Sequence, residues 1–342
     1  MSTAIETVGA GRRYGHLWAL RECTLSLPAG SITAVVGPNG AGKTTLLNLL
    51  VGLLPASEGQ LLVAGVQPSS EPGFLTRVGF LAQDCPLYKE FTVADLLRFG
   101  QAMNPGWDDR LARDRLTAAE VPLKRRAGRL SGGQRAQVAL ALAVAKRPQV
   151  LLLDEPLAAL DPLARREFLK TLIGSAAATG ITVVMSSHLV GELARGCDHL
   201  VVIRDGRVRL TGEIDQLLGE HHWAAGSPDQ TARMPAGVEI LSRSRHERHN
   251  TLLVRTQQPL LNPGLAVTPA GLEDLVLAYL ERPGPAPATA AKPGPRARDC
   301  AARGAISAIA WRPPSTRSRR WSWRGSFVTC GSGRIAAASS DF

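Results

Sequence analysis

Nine consecutive residues, Gly37-Pro38-Asn39-Gly40-Ala41-Gly42-Lys43-Thr44-Thr45, combine bare backbone, one cation and two hydroxyls. Such a segment suits a polyanion. Its glycines let oxygens approach main-chain N–H groups, the lysine adds a point charge, and a threonine hydroxyl can ligate a hard cation. The flanking residues say how it is held: Ser31 to Val36 is apolar and β-branched, a strand, and Leu46 to Leu54 consists of helix formers. A glycine-rich loop between strand and helix gathers its N–H groups at the positive helix end, where phosphate binds. The spacing G-x-x-x-x-G-K-T is met in full. It places Lys43 to reach the β- and γ-phosphates of a nucleotide, Thr44 to ligate Mg²⁺ and Thr45 to add a hydroxyl contact.

Two acids come next. Val150-Leu151-Leu152-Leu153 is an apolar run of strand length, and Asp154-Glu155-Pro156 follows it. This pattern fits a parallel strand buried on both faces, with carboxylates at its C-terminal end, where open α/β sheets bind ligands. Asp154 would hold Mg²⁺, directly or through water. Glu155 would polarise a water for in-line attack on a γ-phosphate.

Between these motifs lies Leu130-Ser131-Gly132-Gly133-Gln134. Ser131 is an N-cap residue, the glycines leave the backbone bare, and Gln134 to Lys146 is an alanine-rich helix. The three motifs together resemble the nucleotide-binding subunit of an ATP-binding cassette (ABC) transporter over residues 4 to 219. The resemblance implies a P-loop NTPase α/β fold: a RecA-like core, an antiparallel β subdomain and a helical subdomain at about 84–130. It also implies that two cassettes pack head to tail, with ATP between the loop of one and Ser131, Gly132, Gly133 and Gln134 of the other.

Four further residues match that family. Tyr14, in Arg-Arg-Tyr-Gly, resembles the aromatic that stacks on adenine. Gln83, after Val78-Gly79-Phe80-Leu81-Ala82, looks like the glutamine that approaches Mg²⁺ and the attacking water and lies close to the membrane partner. Asp161 matches the aspartate that crosses the dimer interface, although Asp-Pro also reads as a helix start. His188, after Ser186-Ser187, matches the histidine that contacts the γ-phosphate. The implied chemistry is MgATP hydrolysis with Glu155 as general base and Lys43, Ser131 and His188 countering charge on the transferred group.

The elements that position these groups fill most of the 342 residues, of which 44% are apolar, ample for one large core. Helical patterns cover Val93 to Met103 and Asp108 to Glu120. Strands are expected at Ile181 to Met185, Leu200 to Ile203 and Arg207 to Thr211, the last two joined by a hairpin turn at Asp205-Gly206. From 220 to 282 a small α+β appendage is expected, with strands at Val238 to Leu241 and Thr251 to Arg255 and an amphipathic helix at Gly271 to Leu280. Phe91 to Leu97 and the Leu-Glu-Asp ending at 272–274 resemble multidrug- and antibiotic-efflux cassettes, which favours export; an importer or a soluble machine is the alternative.

No stretch reaches the 18 to 20 apolar residues of a membrane span, the N-terminus lacks a signal pattern, and five scattered cysteines suit a reducing compartment. A cytoplasmic subunit on the inner membrane face is the expectation, paired with a separate transmembrane permease. It would work as a homodimer, or as a heterodimer with a related ATPase. Residues 283 to 342 differ in kind. Ala, Arg, Gly and Pro make up 35 of these 60, leucine is missing, and ten basic residues against two acids supply +8 of the formal +11. The high pI therefore describes a tail, and no specific nucleic-acid partner is expected of the cassette. The tail reads as disordered, as a frame-shifted or read-through product, or as an arginine–tryptophan segment for anionic lipid or single strands.

Overall fold

A computed structural model describes residues 2–282 except 70, 159, 189, 194–195, 233, 236, 246–248 and 259–263. The expectations for the 283–342 tail lie outside the described residues. The chain opens with two long strands, β1 (Thr3–Tyr14) and β2 (Leu17–Pro28), paired antiparallel about Gly15. Next come β3 (Ile32–Val36), α1 (Lys43–Leu50) and β4 (Glu58–Val63), which pairs with β1 to complete a three-stranded sheet in the order β2-β1-β4. Helix α1 begins three residues earlier than its composition suggests, because Gly42 turns the chain into it in a left-handed conformation (φ 107°). It stops at Leu50 because Gly52 (φ 77°) follows, a left-handed C-terminal stop.

A short helix α2 (Pro72–Leu75) leads to β5 (Val78–Leu81), and α3 (Val93–Met103), α4 (Asp109–Ala118) and α5 (Gly132–Ala145) form the helical lobe. Each start is chemically marked. Thr92 and Asp95 close a reciprocal capping box on α3, Asp108 caps α4, and Ser131 with Gln134 boxes α5. Helix α5 serves two cores. Its Val138, Ala141 and Ala145 pack in the lobe with Leu96, Leu97 and Leu116, while Ala136, Leu140 and Val144 pack against the main sheet. A helix buried on several sides needs small side chains where neighbours come close, which its alanines provide.

The main sheet is completed by β6 (Val150–Leu153), α6 (Pro162–Thr179), β7 (Thr182–Ser187), α7 (Val190–Leu193), β8 (His199–Arg204) and β9 (Arg207–Glu213). Its order is β5-β6-β7-β3-β8-β9, parallel except for the β8–β9 hairpin. That hairpin turns at Asp205 (φ 53°) and Gly206 (φ 71°), the two left-handed residues of a tight primed turn, as the sequence predicts. Successive residues of each strand face opposite layers. Val35, Leu152 and Val201 meet α1 and the antiparallel sheet, whereas Val36, Leu153 and Val202 meet α5 and α6.

Helix α8 (Ile214–Glu220) passes directly into β10 (His221–Gly226), followed by α9 (Pro228–Ala232), β11 (Glu239–Arg245), β12 (Asn250–Arg255), β13 (Ala266–Pro269) and α10 (Leu272–Glu281). The four strands form an antiparallel sheet in the order β11-β12-β10-β13. Sequence patterning finds β11, β12 and α10 but not β10 or β13, whose His-His-Trp and Ala-Val-Thr-Pro stretches carry no clear period. The last helix is no loose appendage. Leu272, Leu275, Val276 and Tyr279 of α10 belong to the same core as β7 and α6, while Ala278 touches the accessory sheet through Leu253.

Leu275→Ala should therefore cost about 3 kcal/mol, the usual price of emptying a fully buried leucine site, in chemical denaturation of the full chain. Burial also pushes the Cys23 thiol up to about 11 and the Cys197 thiol up to about 12. Both should resist a thiolate-selective reagent at pH 8 in the native chain and react after denaturation, as read by peptide mass spectrometry.

Candidate active site

Strand register builds the site. In the parallel sheet Val36 of β3 lies beside Ser187 of β7, and Leu153 of β6 beside Met185. β3 and β7 thus end level and β6 two residues earlier, which sets the acids after Leu153 beside Ser186 and Ser187, so the loop after Val36, those acids and the histidine after Ser187 converge.

Lys43 sits at the centre. Although charged, it is 5% exposed, and its Nζ donates to Gly37 O (2.8 Å) and Pro38 O (3.2 Å) while lying 3.2 Å from Glu155 Oε1. The other oxygen of Glu155, Oε2, is 2.9 Å from His188 Nδ1. Burial pushes the Glu155 carboxyl up, but the hydrogen bond and charge of Lys43, and then those of His188, outweigh it and hold the group below the ordinary carboxylate range. The two groups lie within ion-pair distance, so each offsets the cost of burying the other.

Glu155 reaches this place through an unusual backbone, a left-handed conformation (φ 45°) for a residue with a side chain. Asp154, 2% exposed, accepts a hydrogen bond from Ser186 Oγ at 2.7 Å on Oδ1, and the same hydroxyl accepts one from the Glu155 N–H at 2.8 Å. Sequence reading noticed Ser186 only as a neighbour of His188. The available signal was the change from Val-Val-Met to Ser-Ser at a strand end facing two acids.

The loop glycines serve different needs. A Cβ on Gly37 would meet Ile203 O at 2.1 Å, so the glycine there is demanded by strand β8, whereas Gly40 (φ 81°) has open space around it. No side chain caps the N-terminus of α1, which leaves its first-turn N–H groups to the loop concavity. Pro38, Asn39, Gly40 and Thr44 are exposed, Ala41 is buried and Thr45 half-buried.

The remaining candidates lie around this centre rather than in it. Tyr14 ends β1 with 48% of its surface exposed and the Arg12 guanidinium 5.0 Å from its ring centre. Gln83 is exposed in the loop after β5. Ser131 and Gln134 are occupied with each other, and Gly132 and Gly133 form the first turn of α5. Asp161 caps α6, accepting from Leu163 N and Ala164 N at 3.0 Å each. Among the described residues no hydrogen bond or ion pair links any of residues 131–134, or Asp161, with Lys43, Glu155 or His188.

The donor set fits MgATP. Three or more His, Cys, Asp or Glu side chains that could cage a metal occur nowhere among the described residues. Mg²⁺ rarely uses such a cage: it keeps waters, takes phosphate oxygens and needs one or two protein oxygens, and the Asp154 carboxylate and Thr44 hydroxyl are donors of that kind. No helix among the described residues is long and apolar enough to cross a membrane.

A family described as ABC transporter matches residues 20–158, and one described as AAA domain, putative AbiEii toxin, Type IV TA system, matches 123–194. The chain is 35% identical over 246 residues to the sulfate/thiosulfate import ATP-binding protein CysA of Brucella melitensis, across 69% of this chain and 68% of that protein. It is 39% identical over 202 residues to the thiamine import ATP-binding protein ThiQ of Salmonella choleraesuis, across 57% of this chain and 85% of that protein. Among solved structures, cbiO1 from Clostridium perfringens, part of the ABC transporter complex cbiONQ, superposes with a TM-score of 0.56 at 28% identity, over 64% of this chain and 92% of that one.

These relatives overturn the expectation of efflux, since both curated proteins are named for import. The residues behind that expectation have local duties. Asp95 closes the capping box of α3, and Asp274 accepts from Gly271 N and from the Trp223 indole, so both segments have structural duties at helix starts. The chain belongs to the ATP-binding subunits of ABC transporters, ATPases that work on ATP with Mg²⁺ and pair with membrane permeases.

Proposed function

We propose that this chain is the ATP-hydrolysing subunit of an import system, working as a dimer on the cytoplasmic face of a separate permease. The observation that carries the catalytic part is the Glu155 carboxylate held between Lys43 and His188 at the end of β6. The import names of two relatives support the direction. Their solutes, an oxyanion and an organic cation, differ at similar identity, so the solute is a property of the permease.

In this reading the loop from Gly37 to Thr45 wraps the phosphates and Lys43 moves from Glu155 to the β- and γ-oxygens. That transfer has a chemical consequence. A carboxylate held low by an ammonium is a poor base, and loss of that partner raises its basicity where a water must be polarised. His188, 44% exposed on its side chain, is free to turn toward the γ-phosphate while keeping Nδ1 near Glu155. Asp154 and Thr44, with Gln83 at the edge, would hold Mg²⁺, which would supply positive charge against the phosphate oxygens. Tyr14 offers its exposed face to adenine.

Ser131, Gly132, Gly133 and Gln134 complete the pocket from the opposing copy, with Asp161 at the same interface. The exposure of Ser131 and Gly132 supports this: a capped helix start with bare glycines is a ready phosphate contact that the same copy does not use. ATP then joins two subunits and hydrolysis releases them, a ligand-biased closed–open equilibrium that drives the permease.

Glu155→Gln should lower ATP turnover by about 10²- to 10³-fold while MgATP still yields a dimer by light scattering; unchanged turnover would remove Glu155 from its role. Lys43→Ala should abolish nucleotide-induced dimers, with the ATP Kd raised at least about tenfold. Direction is tested in cells carrying this subunit with its permease, using labelled sulfate and labelled thiamine first. Glu155-dependent accumulation supports import, and Glu155-dependent depletion opposes it.

A further inference from the structure

Strand β7 is apolar from Val183 to Met185 and turns polar at Ser186, a residue with no exposed surface. A buried serine in a strand of β-branched residues must spend its hydroxyl well or cost stability. Here the register fixes the use. Leu153 pairs with Met185, so the next residue on each strand brings Ser186 beside Asp154, and the backbone of Glu155 folds back over it.

The hydrogen-bond polarity has one solution. An amide can only donate, so Glu155 N–H occupies a lone pair of Ser186 Oγ at 2.8 Å. The single hydroxyl proton then points at Asp154 Oδ1, 2.7 Å away, which must accept. One side chain thus joins the main chain of one acid to the carboxylate of the other. It does so where the chain is strained, since Glu155 holds a left-handed φ of 45°. On the other side Asp154 N donates to Leu81 O at 2.8 Å, so the turn is pinned between β5 and β7.

We propose that Ser186 is a positioning residue for ATP hydrolysis: its hydroxyl fixes the Asp154 carboxylate and the Glu155 turn in one relative geometry, without touching nucleotide itself. The inference rests on the reading of Asp154 and Glu155 given above. Losing the hydroxyl leaves one Asp154 oxygen free to rotate and the Glu155 N–H buried without a partner. The Glu155 side chain then wanders from the line of attack, while the phosphate-binding loop is untouched. Loss should fall on turnover and spare nucleotide affinity.

The test uses the full-length chain and steady-state ATP turnover of Ser186→Ala, Ser186→Cys and Ser186→Thr beside wild type and Glu155→Gln. Ser186→Ala and Ser186→Cys should lower kcat about tenfold or more, the scale of one charge-assisted hydrogen bond, with KM for MgATP within about twofold. Ser186→Thr, which keeps the hydroxyl, should restore kcat to within about threefold of wild type. Ser186→Cys nearly preserves volume, so it reports even where alanine weakens folding. Wild-type kcat in the alanine or cysteine variant would overturn the proposal, as would equal losses in all three variants, which would mark a packing role. A wild-type-like Glu155→Gln would instead sink the catalytic reading beneath it. An inactive Glu155→Gln beside a fully active Ser186→Ala would sink the role of Ser186 alone.

Discussion

The buried pairing of Lys43 with Glu155 is the constraint around which the rest of the cassette is arranged. Neither charge is tolerable alone at 5% and 9% exposure, so every element that brings one must bring the other. The lysine arrives at the first position of α1, set by the left-handed turn at Gly42. The glutamate arrives through a left-handed turn of its own at the end of β6. Since β7 lies between β6 and β3, it supplies both the hydroxyl beneath the acids and the histidine above them.

The parallel sheet makes this arrangement possible and its two faces make it stable. Alternate residues of β3, β6, β7 and β8 enter separate cores, one under α1 and the antiparallel sheet, the other under α5 and α6. Helix α5 shares a further core with the lobe, so the Ser131 helix start is mounted on the same rigid element that floors the catalytic sheet.

The C-terminal region carries the same lesson about apparent signatures. Leu272-Glu273-Asp274 resembles an efflux ending when read as letters. In the fold, leucine is a core residue, Asp274 accepts at the helix start, and α10 closes the main core against β8 and α8. Residues with full local employment carry little information about what a distant permease transports. The accessory sheet likewise grips the cassette through buried His221, whose Nδ1 donates to Leu217 O and whose Nε2 meets the Tyr279 hydroxyl.

What the sequence by itself determined was chemistry carried by short, contiguous spacing. The loop of nine residues, the Asp154-Glu155 end of an apolar run and the Ser131 N-cap are all local, so residue order suffices to read them. The helices α3, α4 and α5 and the Asp205-Gly206 turn were legible for the same reason: caps, periods and left-handed glycine act within a few residues. Only the tertiary structure decided which distant groups meet. The ion pair of Lys43 with Glu155, the contact of His188 with it, and the service of one Ser186 hydroxyl to two acids depend on strand order and register. Those are set by burial summed over the whole sheet. Strands β10 and β13 escaped notice on that same ground, because their partners, not their own alternation, make them strands.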